Sequence, residues 1–315
     1  MVKSGNQRPN MSRYMGYAGI EYPDLLREAF DLLDPDVKQM PVYASIPDRY
    51  MIWEKTRQYL GKDIPNTPQL IGDCVGKSSS DVTDYLQVLQ LGAVGRKDWH
   101  STHPSFAWAN GRVMPEIGNR QLGRQDGSLG IWQAVAVKKY GIIFEDDKNA
   151  PKYTAALARN WGYNGPPKEF MEIGKKRLVK VDTADAAMVK TLDQLFSALS
   201  ADYPVTVASN YGFDMTPRGD GYNHYSDKWP HQMKFLGYCK VGKRPCVCLS
   251  NNWGEAAHGT IIDDETGEPW PKGTLRIFLK DAAGMLAEKD SWAHSFVEIG
   301  IENGGPLKRS SFDLL

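Results

Sequence analysis

The hydrophobic period of the chain changes once, and that change restricts the fold more than any other feature. Before the doublet Pro166-Pro167 the apolar residues recur at helical spacing. "YPDLLREAFDLLD" places Leu26, Ala29, Phe30 and Leu33 on one face. "CVGKSSSDVTDYLQVLQLG" does the same with Val75, Val82, Tyr85, Leu86 and Leu89, and Gly92 is the expected stop. "DGSLGIWQAVAVKKYGI" predicts a further helix ending at Gly141. Pro41, Pro47, Pro65 and Pro68 punctuate an extended lead-in to Cys74. After the doublet the pattern turns to short β-branched runs: "KRLVKVD", "YPVTVAS", "HQMKFLGYCKV", "RPCVCLSN" and "GTLRIFL". "DAAMVKTLDQLFSALS" predicts one amphipathic helix among them. Helices first and strands second is an α+β pattern.

Bulk properties exclude several function classes. Basic and acidic residues number 38 each, so no charge-driven partner such as nucleic acid or an anionic membrane is implied. No apolar run approaches the roughly 20 residues of a membrane span. The opening "MVKSGNQRPNMSRYMGYAGI" lacks the apolar region of a secretory signal. Four cysteines in 315 residues are too few for a disulfide framework. The expected location is cytoplasmic or inside a larger particle.

Six histidines and four cysteines bound the chemistry. No metalloprotease helix, P-loop or dinucleotide fingerprint is present. His100 and His103 in "WHSTH" have no carboxylate or cysteine beside them in sequence, which favours a surface loop over a metal site. Cys239, Cys246 and Cys248 lie in the strand pair, with Cys246 and Cys248 on one face by alternation, and read as buried strand cysteines. Neither a metal nor a cofactor is expected. Taken singly, Cys74 is more often a small buried hydrophobe than a nucleophile, His231 a structural residue at a strand start, and "NNWG" a turn.

The order of these three pieces changes their weight. "QLIGDCVG", "PHQMKFLGY" and "NNWG" follow one another as "QGxCGSCW", "GHAVxxVGY" and "NSWG" do in the papain-like cysteine peptidases, which the chain resembles. The stretch from Cys74 to His231 is close to the roughly 130–150 residues of that family, and unlike the compact cell-wall hydrolases that place histidine much nearer to cysteine. "SIPDRYMIW", "SFAWANGRV" and the Gly127 loop add looser likeness, so that the resemblance spans about Pro41 to Phe296.

The resemblance implies a two-lobed α+β fold: a helical first lobe, an antiparallel β-barrel-like second lobe, and an active site between them. The expected division is an N-terminal arm at 1–40 with its amphipathic helix, a helical lobe at 41–165, a β-rich lobe at 166–300 and a tail at 301–315. Cys74 is then the nucleophile of a peptidase acting on peptides or proteins, His231 its acid and base, and Asn251 the residue that orients the imidazole. Gln69 would donate to the oxyanion with the Cys74 backbone N–H. Gly127, with Asp126, would form a substrate wall, and Trp253 would shield the histidine–asparagine hydrogen bond. A helix N-terminus and an imidazolium would both favour the thiolate, while Asp73 opposes it. The alternatives are a silent papain-fold component of a larger, possibly viral, assembly that docks through the N-terminal arm, and a cell-wall amide hydrolase.

Several positions depart from the family pattern. Gln69 stands one residue nearer the cysteine, Val75 replaces a tryptophan, Gln232 an alanine, and Ala257-His258 occupies the place of the second tryptophan. Only some 40 residues precede the matched region, which predicts an arm too short to block a cleft.

Overall fold

The computed structural model describes residues 15–33, 38–177 and 186–294. Of the strand expected at "KRLVKVD", Lys176 and Arg177 instead end a helix and the rest lies outside the described residues, as do the tail and the end of the matched region at Phe296. The helices are α1 (Pro23–Leu33), α2 (Ile52–Leu60), α3 (Cys74–Ala93), α4 (Pro104–Val113), α5 (Gly130–Tyr140), α6 (Ala155–Asn164), α7 (Lys168–Arg177), α8 (Leu192–Ser200) and α9 (Leu279–Ala287). The strands are β1 (Lys38–Gln39), β2 (Arg49–Met51), β3 (Ala186–Met188), β4 (Val205–Ser209), β5 (Gly212–Phe213), β6 (Tyr225–Asp227), β7 (His231–Cys239), β8 (Cys246–Ser250), β9 (Thr274–Phe278) and β10 (Asp290–His294).

Helix α3 is the axis of the molecule. It packs on α2, α4 and α5 on one side and on β7 and β4 on the other. Such a helix is enclosed all round, and even Lys77, Asp81 and Asp84 are buried. That is why its sequence shows only a partial apolar stripe. Gly92 does not stop the helix. Its missing side chain makes room for the Tyr59 ring, 2.1 Å from where a Cβ would sit. The helix runs on to Ala93, and Gly95 takes φ +75° two residues beyond its end.

The sheet runs β1-β3-β10-β4-β7-β8-β9, with β2 added to the far half of β7. All pairings are antiparallel except β1 with β3. β1 and β9 form the two edges without pairing to each other, so among the described residues the antiparallel sheet does not close and is barrel-like only in a loose sense. β7 carries the geometry of the second half, because its nine residues are all buried. A register shift between Phe235 and Gly237 lets its N-terminal half pair with β4 while its C-terminal half meets β2.

Three local expectations are corrected. The proline-punctuated lead-in contains α2, which buries Ile52, Trp53 and Thr56 and ends where Gly61 takes φ +74°. Only the opening residues of "DAAMVKTLDQLFSALS" differ from helix: Ala186–Met188 pair with β10, and the helix starts after Thr191, whose side chain accepts from Gln194 N at 3.2 Å. His103 is no surface residue. It is buried, stacks on Trp161 with ring centroids 5.2 Å apart, and caps α4. His100 meets Asp146 at 2.7 Å, a carboxylate distant in sequence. Helix α1 lies on the body, where Ala29 is buried and Phe30 stacks on Trp292 at 6.2 Å.

Candidate active site

Cys74 is the first residue of α3, and His231 is the first residue of β7. The two elements pack directly, so the helix start meets the strand start. The Gln232 backbone N–H donates to Cys74 Sγ at 3.4 Å, and Ser78 Oγ donates to the Gln232 carbonyl at 2.9 Å. Of the small residues that open the helix, Ser78 faces β7, while Gly76 admits Trp108 and Pro104 of α4.

Asn251 follows β8, which pairs with β7, and this brings its amide beside the imidazole. His231 Nε2 donates to Asn251 Oδ1 at 2.9 Å. His231 Nδ1 is buried and makes no hydrogen bond, so it keeps a free lone pair on the remaining side of the ring. The Trp253 ring lies 5.0 Å from the imidazole at 32° and itself packs on Trp229 at 4.7 Å. Gln69 is buried beside the same seam. Its Nε2 donates to Ile71 O at 2.8 Å, and its backbone N–H donates to Asn252 O at 2.8 Å. Asp73 accepts from Tyr153 at 2.7 Å, and its charge adds to the forces opposing a thiolate at Cys74. Burial raises the Asp73 pKa to about 7 despite the Tyr153 bond.

Asp126 joins the opposite wall to α3. It pairs with Arg159 at 3.1 Å and accepts from Gly72 N at 3.3 Å. Gly127, at φ +113°, faces the cleft. The loop it stands in is held by Arg112, a buried residue that the sequence did not single out. Its guanidinium donates to the carbonyls of Gly123, Gln125, Gly127 and Gly162. No spacing announces such a role, because the acceptors are backbone groups.

The cleft is filled by the chain's own N-terminal segment. Gly16 O accepts from Ser128 N at 2.9 Å, Ala18 N donates to Ser128 O at 2.9 Å, and Tyr17 N donates to Pro230 O at 3.1 Å. Residues 16–18 thus bridge the loop wall and the strand that begins at His231. The pairing with the loop is parallel and is made by Ser128, the neighbour of Gly127. Gly16 passes so close to Gly72 that a Cβ on it would lie 1.9 Å from Gly72 O. The Tyr17 side chain is buried among Leu129, Ala208 and Trp292, with Asp290 nearby raising its pKa further after burial. An arm expected to be too short to block a cleft therefore occupies it. The segment reaches the site because a turn that begins at Ala18 leads straight into α1 at Pro23, and α1 packs on α5 and Trp292.

Enclosure sets the charge state. Burial pushes the Cys74 thiol up to about 12, against the pull of the Gln232, Gly16 and Val75 amides. Burial likewise pushes His231 down to about 4, although Asn251 works the other way. With the segment in place the pair is thiol and neutral imidazole, not thiolate and imidazolium. The helix N-terminus does not overcome desolvation here.

Behind the site lies a buried polar group that pattern reading did not find. Asn252 Nδ2 donates to Cys74 O at 3.1 Å, Ser78 Oγ at 2.7 Å and Gln232 O at 2.9 Å. Its Oδ1 accepts from Lys234 Nζ at 2.8 Å, and Lys234 also pairs with Asp81 at 2.6 Å. Lys77 pairs with Asp81 from its other side. Burial raises the Asp81 pKa, but the two ammonium groups outweigh it and hold the carboxyl low.

No protein-family model matches the chain, and no curated protein is similar to it in sequence. Solved structures are similar in fold. Xylellain, a cysteine protease from Xylella fastidiosa, superposes with a TM-score of 0.56 at 12% identity, over 83% of this chain and 91% of that one. ProCathepsin B S9 from Trypanosoma congolense gives 0.51 at 12% identity, over 82% and 83%. The cysteine protease and lectin-like domains of Cwp84 from Clostridium difficile give 0.52 at 14% identity, over 92% and 62%.

Proposed function

From the papain-like fold that this chain shares with those peptidases, we propose that it is a cysteine peptidase whose cleft is closed by its own N-terminal segment. The observation that carries the reading is the His231–Asn251 hydrogen bond at 2.9 Å, which leaves His231 Nδ1 unpartnered on a strand whose next amide touches the Cys74 sulfur. A neutral imidazole with its proton on Nε2 has its basic nitrogen available to a thiol.

In this reading the segment leaves first. Water and substrate then replace it, and the burial that holds Cys74 as thiol and His231 as neutral base is relieved. His231 Nδ1 takes the thiol proton, and the sulfur attacks a peptide carbonyl. The tetrahedral oxyanion is met by the Cys74 backbone N–H and the Gln69 side-chain amide. His231 returns the proton to the leaving amine as the C–N bond breaks. Water, deprotonated by His231, then splits the thioester to release the acid and the thiol. Ser128 offers a peptide backbone the same N–H and C=O that now bind Gly16 and Ala18. Trp253 keeps water from the His231–Asn251 bond.

A second reading rests on the same enclosure: a papain-fold component that never opens and serves only as a structural or binding part. A thiol-directed peptidyl epoxide separates the two. Labelling of the folded protein at Cys74, lost in Cys74→Ala, supports the peptidase. Failure to label under reducing conditions, after the segment has been unseated, rejects it.

A further inference from the structure

His258 directly follows Ala257, which stands where the family pattern has its second tryptophan, and the reaction outlined above gives it no role. Its surroundings are unusually informative, because two backbone groups of unalterable character terminate a chain of three side chains. At one end the Asn252 backbone N–H, which can only donate, points at Asn251 Oδ1 from 2.7 Å. That contact assigns the oxygen and nitrogen of the Asn251 amide. His231 Nε2 therefore donates to the same oxygen at 2.9 Å, and Asn251 Nδ2 faces His258 Nε2 at 2.9 Å. At the other end the Met215 carbonyl, which can only accept, lies 3.1 Å from His258 Nδ1. One arrangement of protons satisfies every contact. His258 carries its proton on Nδ1 and accepts at Nε2, Asn251 donates with its nitrogen and accepts with its oxygen, and His231 carries its proton on Nε2.

We infer that His258 is a positioning residue for the proposed peptidase, acting through Asn251. By accepting from Asn251 Nδ2 it holds the amide in the one orientation that keeps His231 Nδ1 free to receive the thiol proton. Without an acceptor there, the amide loses the partner that distinguishes its two ends on that side. Rotation would set an NH₂ against two donors, His231 Nε2–H and Asn252 N–H. The Trp253 ring spans the arrangement, lying 5.0 Å from His231 and 6.2 Å from His258 and nearly parallel to the latter. Burial pushes the His258 imidazole down to about 4, which keeps it a neutral acceptor around neutral pH.

The inference rests on the reading of Cys74 and His231 as nucleophile and base, and two measurements keep the two apart. The first needs no catalysis. In the full chain, long-range ¹H–¹⁵N spectra of the histidine rings report which nitrogen is protonated. The expected result is Nδ1–H for His258, the minor form in free histidine, and Nε2–H for His231. In His258→Leu the His231 ring should lose its single tautomer, while His258→Gln, whose amide oxygen can accept, should keep it. A parent protein with His258 protonated on Nε2, or a folded His258→Leu with His231 unchanged, overturns the inference.

The second measurement uses peptide hydrolysis by the full chain carrying Gly16→Val, which unseats the N-terminal segment. The leucine variant should lose about 10–100-fold in kcat, as removal of an orienting partner typically does, with KM within about twofold. The glutamine variant should recover most of that loss. A folded leucine variant with the kcat of its background overturns the role. If no form hydrolyses peptide or labels at Cys74, the peptidase reading fails, while the ring spectra still decide whether His258 sets the tautomer. Should the leucine variant not fold, the glutamine variant decides: His231 must retain Nε2–H in it, and loss of that proton counts against the role.

Discussion

Gly16→Val is the perturbation that most directly tests the closed cleft. A valine there would place its Cβ 1.9 Å from Gly72 O and 2.4 Å from Gly72 C, and neither backbone atom can move aside without shifting the start of α3. The segment must lift out instead. Three backbone hydrogen bonds hold it, of 2.9, 2.9 and 3.1 Å, each worth about 0.5–1.5 kcal/mol net. Burial of the Tyr17 side chain adds about 1.5–3 kcal/mol. Together these hold the segment in place by about 3–7 kcal/mol, so the parent exposes Cys74 in roughly one molecule in 10² to 10⁵ at ~1.4 kcal/mol per tenfold. The valine variant should expose it in most molecules. The assay is the rate of alkylation at Cys74 by iodoacetamide, read by peptide mass spectrometry with Cys74→Ala as the blank. The expected gain is at least a hundredfold at unchanged far-ultraviolet circular dichroism. Equal rates in parent and variant, both folded, would show that the segment does not guard the thiol.

Tyr17→Ala removes only the side-chain part of that hold and should accelerate the same alkylation by roughly 10–100-fold, from about 1.5–3 kcal/mol; no change would move the restraint to the backbone alone. The closed state should also be bounded in pH on both sides. His231 has its pKa lowered to about 4, so its contribution is present above the ordinary histidine value near 6.5 and is lost as pH falls toward 4. Cys74 has its pKa raised to about 12, so its contribution is present below the ordinary thiol value and is lost as pH rises toward 12. Alkylation corrected for thiolate fraction, or hydrogen exchange at Gly16–Ala18, should therefore be slowest near neutral pH; protection that keeps rising into acid would contradict this. Lys234→Met strips Asp81 of one buried partner and should cost about 3 kcal/mol in denaturant unfolding, part of which Asp81→Asn should restore; an additive loss in the double variant would mean that the pair is not coupled. Arg112→Lys leaves several loop carbonyls without their fork of donors and should raise KM for peptides more than it lowers kcat in the Gly16→Val background, with a parent-like KM as the contrary result.

The α+β class, the order of helices and strands, and the positions of Cys74, His231 and Asn251 on a helix start, a strand start and a strand end could all be read from local patterns. Each depends on neighbours within a few residues: periodicity, a proline doublet, a short run before an "NNWG" turn. Two local readings went astray for the same reason, that a tertiary partner outweighed propensity. Gly92 serves the Tyr59 ring instead of ending a helix, and Ala186–Met188 join the sheet because β10 lies beside them.

Charge states and occlusion were beyond any local pattern, since they depend on which distant groups exclude water. The helix start and the histidine, read locally, favour a thiolate, yet burial of the sulfur favours the thiol even though the Gly16 amide pulls the other way. Likewise nothing near His258 in sequence foretells its bond to Asn251, because the Met215 carbonyl that fixes its proton arrives from another part of the chain. Residue types and their order fall within reach of the sequence because covalent neighbours and side-chain period set them. Hydration, tautomer and access belong to the tertiary structure, because each is a property of the space between segments.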